Sequence, residues 1–167
     1  AYANTKAMDE FLAFAYHKEF GTEVVIARFF NTVGPRQLFN YGMVIPNFVK
    51  RALSNEDVVV FGTGEQKRSF MHVKDAVRAV TKLMISGKGV GHEFYVGNPI
   101  EITMNQLAER VIKRVGSTSK VIHKSYEEVY GKGFEDMNRR TADISKLVSY
   151  LDFEMKYDLD HILDDVI

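Results

Sequence analysis

The sequence predicts an α/β fold, and three observations predict it. Short runs of β-branched and aromatic residues, such as VVIARFF (24–30), alternate with longer stretches of helical periodicity. Of the 167 residues, 46% are apolar, enough to bury a real core. No internal repeat, low-complexity segment or linker interrupts the alternation. The length suits one domain, or a large part of one.

The elements follow in order. Residues 2–20 predict a helix, with Phe11, Leu12, Ala15 and Tyr16 at helical spacing and Gly21 as the stop. Residues 24–30 read as a buried strand fit for a parallel sheet. Residues 31–42 read as loop, punctuated by Gly34-Pro35 and by Asn40-Tyr41-Gly42. Residues 46–54 suggest a helix with Pro46 in its first turn. Residues 57–62 predict a strand ending at Gly62-Thr63-Gly64, and 68–72 a brief extended piece. Residues 74–86 predict a helix with Ala76, Val77, Val80, Leu83 and Met84 on one stripe. Residues 92–97 read as a strand. Thr103 then caps a helix through Val115, with Gln106 completing a capping box. Residues 120–126 read as a strand, followed by a Gly-containing loop. Two short helices near 143–151 and 158–166 are each opened by Asp. The strands number about four, few for a complete doubly wound sheet.

Composition excludes several functions. Lys plus Arg and Asp plus Glu both number 22, so no net basic charge points to nucleic acid. There is no cysteine, hence no disulfide framework or thiolate metal site. The histidines at 17, 72, 92, 123 and 161 lack metal-ligand spacing, so no metal is expected. No apolar run reaches membrane length and no signal peptide is visible. The expectation is a cytoplasmic protein without membrane contact.

Tyr2 and Lys6 lie four apart on the first predicted helix and so share a face. A phenol with a pKa of about 10 is a poor base at neutral pH. A neighbouring ammonium favours the phenolate, and such a tyrosine can take a proton from a sugar or alcohol hydroxyl as hydride leaves the carbon. The bland alternative is a packed tyrosine beside a solvated lysine.

Other segments accompany the pair. They are Arg28-Phe-Phe-Asn31-Thr-Val-Gly34-Pro35-Arg36, Phe61-Gly-Thr-Gly-Glu-Gln-Lys-Arg68-Ser-Phe-Met-His72-Val-Lys-Asp75, Phe94-Tyr-Val-Gly97-Asn98-Pro99, and Arg139-Arg140-Thr-Ala-Asp143-Ile-Ser-Lys146. In this order and at these distances the chain resembles the extended short-chain dehydrogenase/reductases. Within them it is similar to the NAD-dependent nucleotide-sugar epimerases, dehydratases and decarboxylases.

The resemblance implies the C-terminal part of a Rossmann-like doubly wound parallel sheet, interleaved with a small substrate-binding α/β subdomain. It implies NAD as cofactor and a nucleotide sugar, most often UDP-linked, as substrate. The family's Gly-x-x-Gly-x-x-Gly turn and early Ser/Thr have no counterpart in this sequence. Residues 1–167 are therefore expected to be the C-terminal half of a longer enzyme, inactive alone and partnered by an N-terminal Rossmann half. Carried over residue by residue, Tyr2 is the acid/base and Lys6 its electrostatic partner and ribose anchor. Val33 marks where the backbone passes the nicotinamide. Asn31 matches a substrate-contacting asparagine, or is a turn-former after a strand. Arg68 matches an arginine that grips the diphosphate. Phe61 packs against the base, or is a core aromatic. Arg140 matches a second basic residue, with Arg139 its rival.

Gln66 and Lys67 are further candidates for ribose or phosphate, and Tyr95 and Asn98 for the far wall. His72-Val-Lys-Asp75 reads as structural. The Tyr2 helix is expected to pair with its copy in a homodimer, with Ala7, Phe11 and Phe14 on the buried stripe. Met43 stands where the resemblance places a basic residue in UDP-glucuronate decarboxylases, and Pro46 is more like the epimerases. The expected reaction is epimerisation through a 4-keto sugar. A 4,6-dehydratase, a UDP-glucuronate decarboxylase and a non-catalytic binding module are the alternatives.

Overall fold

The computed structural model describes residues 1–38, 42–133 and 136–167. Tyr2–Phe20 form α1, closed by Gly21 in the left-handed region at φ 67°. Val25–Phe29 form β1. Thr32–Val33 form a two-residue strand, β2, inside the segment read as loop. Asn40 and Tyr41 of that segment lie outside the described residues.

Helix α2 is Val44–Leu53, so Pro46 sits in its first turn, where its missing N–H loses no helical hydrogen bond. Then come β3 (Val58–Phe61), β4 (Lys67–Arg68), β5 (Met71–His72) and α3 (Val73–Ser86). They are followed by β6 (His92–Val96), β7 (Ile102–Thr103) and α4 (Met104–Val115). Last are β8 (Val121–Lys124), α5 (Tyr126–Tyr130), β9 (Arg139–Arg140), α6 (Ser145–Leu151) and α7 (Leu159–Val166).

Four pairings are parallel: β1 with β6, β2 with β5, β3 with β8, and β4 with β9. Strand β4 also pairs antiparallel with β7. Among the described residues four strands are of ordinary length, matching the number read from the sequence. The rest are two-residue ladders, which tertiary pairing creates rather than local propensity.

Two apolar clusters hold the chain together. One joins α2, β3, α4 and α7 through Ile45, Phe48, Val58, Val60, Leu107, Val111, Ile162 and Leu163. The other joins α3, β6 and α6 through Ala76, Ala79, Leu83, Phe94, Val96 and Leu147. A fully buried leucine such as Leu107 contributes about 1.5–3 kcal/mol by leaving water.

The predicted α3 stripe needs correction. Ala76, Ala79 and Leu83 face the core, whereas Val77 (58% exposed) and Met84 (75% exposed) face outward. Small residues at positions 76 and 79 let α3 approach the sheet, and apolar periodicity alone mistook the outer face for the inner one. Helix α1 buries no residue: Ala7 and Phe11 are exposed and Phe14 is half-buried. Arg28 on β1 ties α1 to the sheet, donating from Nε to Glu10 Oε1 at 2.8 Å and from Nη2 to Oε2 at 2.5 Å. The guanidinium holds the Glu10 carboxyl below its usual range.

The His72-Val-Lys-Asp75 motif is structural, as expected, and its task is to hold the C-terminal segment. His72 caps α3, its Nδ1 accepting from the Lys74 N–H at 3.0 Å. That leaves the ring proton on Nε2, which donates to Asp165 Oδ2 on α7 at 3.1 Å. Asp75 is buried, and its Oδ2 accepts from the N–H groups of Lys156 and Tyr157 at 3.0 and 2.9 Å. Its Oδ1 pairs with Arg78. Among the described residues no helix is long and apolar enough to cross a membrane.

Candidate active site

A cleft of about 1140 Å³ opens beside the first apolar cluster, whose Ile45, Phe48 and Val60 line its floor. Its walls carry Tyr2 from α1, Asn31 and Val33 around β2, Phe61 from the end of β3, Arg68 from β4, and Arg140 from β9. Six of the seven predicted site residues thus share one cavity. Lys6 is not among the described lining residues.

Asn31 follows β1, where parallel strands deliver their side chains to one edge. Its Nδ2 donates to the Ser69 carbonyl at 2.9 Å, and its Oδ1 accepts from Arg140 Nη2 at 2.8 Å. The amide orientation is therefore fixed from both ends, and Arg140 is held at the cleft. Strand alternation resolves the rivalry between the two arginines. Arg139 is 73% exposed and donates from Nε to Glu101 at 2.5 Å, away from the cavity. The Thr141 hydroxyl and then Arg139 hold the Glu101 carboxyl below its usual range.

Arg68 has an 11% exposed side chain. It donates from Nη1 to the Lys67 carbonyl at 2.8 Å and from Nη2 to Asp136 Oδ1 at 2.7 Å. Phe61 presents its ring edge-on to Tyr126, with centroids 6.5 Å apart. Gln66 lines the cleft and spans the same corner, its Nε2 donating to the Phe61 carbonyl at 2.8 Å and to Tyr126 Oη at 2.9 Å. The turn before Gln66 depends on Gly64 at φ 77°, where a Cβ would lie 1.9 Å from Asn105 Oδ1.

Tyr2 is exposed at the cleft edge, and Lys6 lies one turn along the same helix. The Lys6 ammonium donates to Asp9 at 2.8 Å. That hydrogen bond raises its pKa above the usual lysine value and keeps it charged, with a smaller contribution from Tyr2. The arrangement offers a fixed cation one helical turn from a solvent-facing phenol. Tyr2 and Lys6 share one face of α1, and Tyr2 lines the same cleft as Val33, so a phenol and an ammonium stand at the cleft edge that a cofactor ribose would need. Among the described residues no cluster of His, Asp and Glu could hold a metal ion.

Two expected wall residues are elsewhere. Tyr95 faces Arg28, with its hydroxyl 3.4 Å from Nη1. Asn98 is buried and its Nδ2 donates to the Phe70 carbonyl at 2.9 Å. Sequence reasoning missed Tyr126, Lys124 and Asp136, all of which line the cleft. A signal for α5 existed: Ser125 and Glu128 form a capping box, with Ser125 Oγ accepting from the Glu128 N–H at 3.2 Å. Asp136 had no such signal.

Residues 1–97 match the NAD dependent epimerase/dehydratase family. Over 154 residues the chain is 36% identical to the UDP-N-acetyl-alpha-D-glucosaminuronate decarboxylase of Bacillus cytotoxicus, covering 92% of this chain and 47% of that protein. Over 158 residues it is 40% identical to UDP-glucuronic acid decarboxylase 1 of Arabidopsis thaliana, covering 95% of this chain and 34% of that protein. The crystal structure of UDP-glucuronic acid 4-epimerase from Bacillus cereus, in complex with UDP-glucuronic acid and NAD, superposes with a TM-score of 0.85 at 25% identity. That match covers 98% of this chain and 50% of the epimerase. The fold is thus the Rossmann-like α/β fold expected, and the chain spans half or less of the length of these proteins.

Proposed function

Because the chain belongs to the NAD dependent epimerase/dehydratase family, we propose that it is the sugar-nucleotide side of an active site that oxidises a UDP-linked hexuronic acid at C4 and then decarboxylates it. The observation that carries this reading is the convergence of Tyr2, Asn31, Arg68 and Arg140 on one cleft. The names of the relatives that are 36% and 40% identical support a uronic acid and its decarboxylation.

Tyr2, as phenolate, takes the proton of the C4 hydroxyl. Tyr2, Lys6 and the Val33 backbone would hold NAD, which would supply the acceptor for the hydride leaving C4. Lys6 stabilises the phenolate and presents further N–H donors to a ribose. Arg68 and Arg140 bind the diphosphate, Asn31 orients Arg140, and Phe61 packs on the base. In the resulting 4-keto sugar the C5 carboxylate is β to the ketone, so loss of CO2 leaves its electron pair delocalised into that carbonyl. The enolate takes a solvent proton at C5, and the tyrosine proton returns to the C4 oxygen when hydride comes back to C4, giving a UDP-pentose.

Epimerisation at C4 is the second reading, supported by the apolar Met43 in the cleft lining and by the solved 4-epimerase with TM-score 0.85. In that case the keto sugar turns before hydride returns to its other face. In both readings the remainder of the active site comes from an N-terminal Rossmann half.

The test incubates the intact protein with NAD and UDP-glucuronate and identifies the product by NMR. A UDP-pentose with CO2 release supports decarboxylation; UDP-galacturonate replaces it with epimerisation. Tyr2→Phe should lower either rate by about a hundredfold or more. A fully active Phe variant would remove Tyr2 from the mechanism, and no turnover of any UDP-hexuronate would refute the assignment.

A further inference from the structure

We propose that Asp136 is a built-in anion that holds Arg68 Nη2 and must be displaced before a diphosphate is gripped there. The proposal rests on the sugar-nucleotide reading of the cleft. Three donors converge on the carboxylate. Arg68 Nη2 and the Met137 N–H donate to Oδ1 at 2.7 and 2.9 Å, and the Tyr126 hydroxyl donates to Oδ2 at 2.8 Å. Tyr126 is itself held by Gln66 Nε2, which also reaches the Phe61 carbonyl. Parts of β4, α5 and the loop before β9 thus cooperate to place one negative charge on one guanidinium.

Both terminal nitrogens of Arg68 are engaged, one by the Lys67 carbonyl and one by Asp136. Asp136 also lines the cleft. A phosphate oxygen approaching Nη2 meets the Asp136 carboxylate within a few ångströms, and like charges repel strongly where water is partly excluded. Asp136 therefore does two things. It keeps Arg68 oriented for an incoming anion, and it lowers affinity for any anion that brings only its charge. A ligand that also binds through a base and a sugar can displace it; bare phosphate or pyrophosphate competes poorly. Asp136 is a specificity residue against the free anions that accompany nucleotides in solution.

Calorimetric titration of the intact protein with inorganic pyrophosphate tests this. Asp136→Asn removes the charge at nearly constant shape and should bind pyrophosphate about tenfold more tightly than wild type. Adding Arg68→Gln should abolish the gain. Tyr126→Phe loosens the carboxylate without removing its charge and should give a smaller gain of about twofold. Equal or weaker pyrophosphate binding by both single variants, at an unchanged thermal midpoint, overturns the proposal. So does a gain that survives Arg68→Gln. Failure of the functional reading would look different: wild-type protein would then bind neither UDP nor UDP-glucuronate, whatever pyrophosphate does.

Discussion

Asp75→Ala should unfold the C-terminal segment from the body of the protein, and its magnitude can be worked from contacts. The carboxylate is buried and has three partners: the N–H groups of Lys156 and Tyr157, and the guanidinium of Arg78. Truncation leaves two backbone donors without an acceptor and one cation without its counter-charge. Removing one partner of a buried ion pair costs about 3–5 kcal/mol. Arg78 is 29% exposed and can be partly rehydrated, which places the expected loss near the lower bound, about 3 kcal/mol.

Against a typical total stability of about 5–15 kcal/mol, that loss is readily measured by urea denaturation of the intact protein. Asp75→Asn keeps an oxygen for the two amides and loses only the charge, so about 1–2 kcal/mol is expected. Hydrogen exchange gives a local readout: the Lys156 and Tyr157 amides should be protected in wild type and exchange fast in the alanine variant. If Asp75→Ala stays within about 0.5 kcal/mol of wild type, or if those two amides keep their protection, Asp75 is not the anchor of this segment.

Two further predictions concern the partners of α4. Gly64→Ala forces a Cβ to within 1.9 Å of Asn105 Oδ1 at a positive φ. Asn105 joins Thr63, Glu65 and His123 by hydrogen bonds. The variant should lose about 1–3 kcal/mol in thermal or urea unfolding, and less when Asn105→Ala is already present. Asp160 accepts from Arg110 at 2.9 and 2.6 Å, and that hydrogen bond holds its carboxyl below the usual value. Because the folded value is depressed, the pair stabilises fully above the ordinary carboxylate value of about 3.9 and fades as pH falls through the lower folded value. Asp160 is 39% exposed, so Asp160→Asn should cost less than about 1 kcal/mol at pH 7, and the difference from wild type should shrink as pH falls below the ordinary carboxylate value.

The long elements and their ends were legible in the sequence because local chemistry sets them. Gly21, Thr103 with Gln106, and Asp158 each terminate or open a helix where their side chains or backbone allow. Asp143 does not cap α6 as expected: Ile144 is the N-cap and has no side-chain cap, and Asp143 Oδ1 instead accepts from the Ser145 N–H in a turn just before the helix. Most of the site was legible through a recurring set of motifs rather than through periodicity. What stayed hidden depends on distant partners. The two-residue strands exist only because of their neighbours, and Asp136 meets Arg68 across 68 residues of chain. The misread face of α3 shows the same limit: Val77 and Met84 look like core until Ala76 and Ala79 are seen against the sheet.

The register of β9 on β4 sets Arg139 opposite Lys67 and Arg140 opposite Arg68. Successive residues of an extended strand point to opposite sides, so a one-residue slip of β9 against β4 would swap the two guanidiniums. The solvent-facing side chain would then enter the cavity and the one tied to Asn31 would leave it. The register of this two-residue ladder therefore decides which arginine meets the ligand.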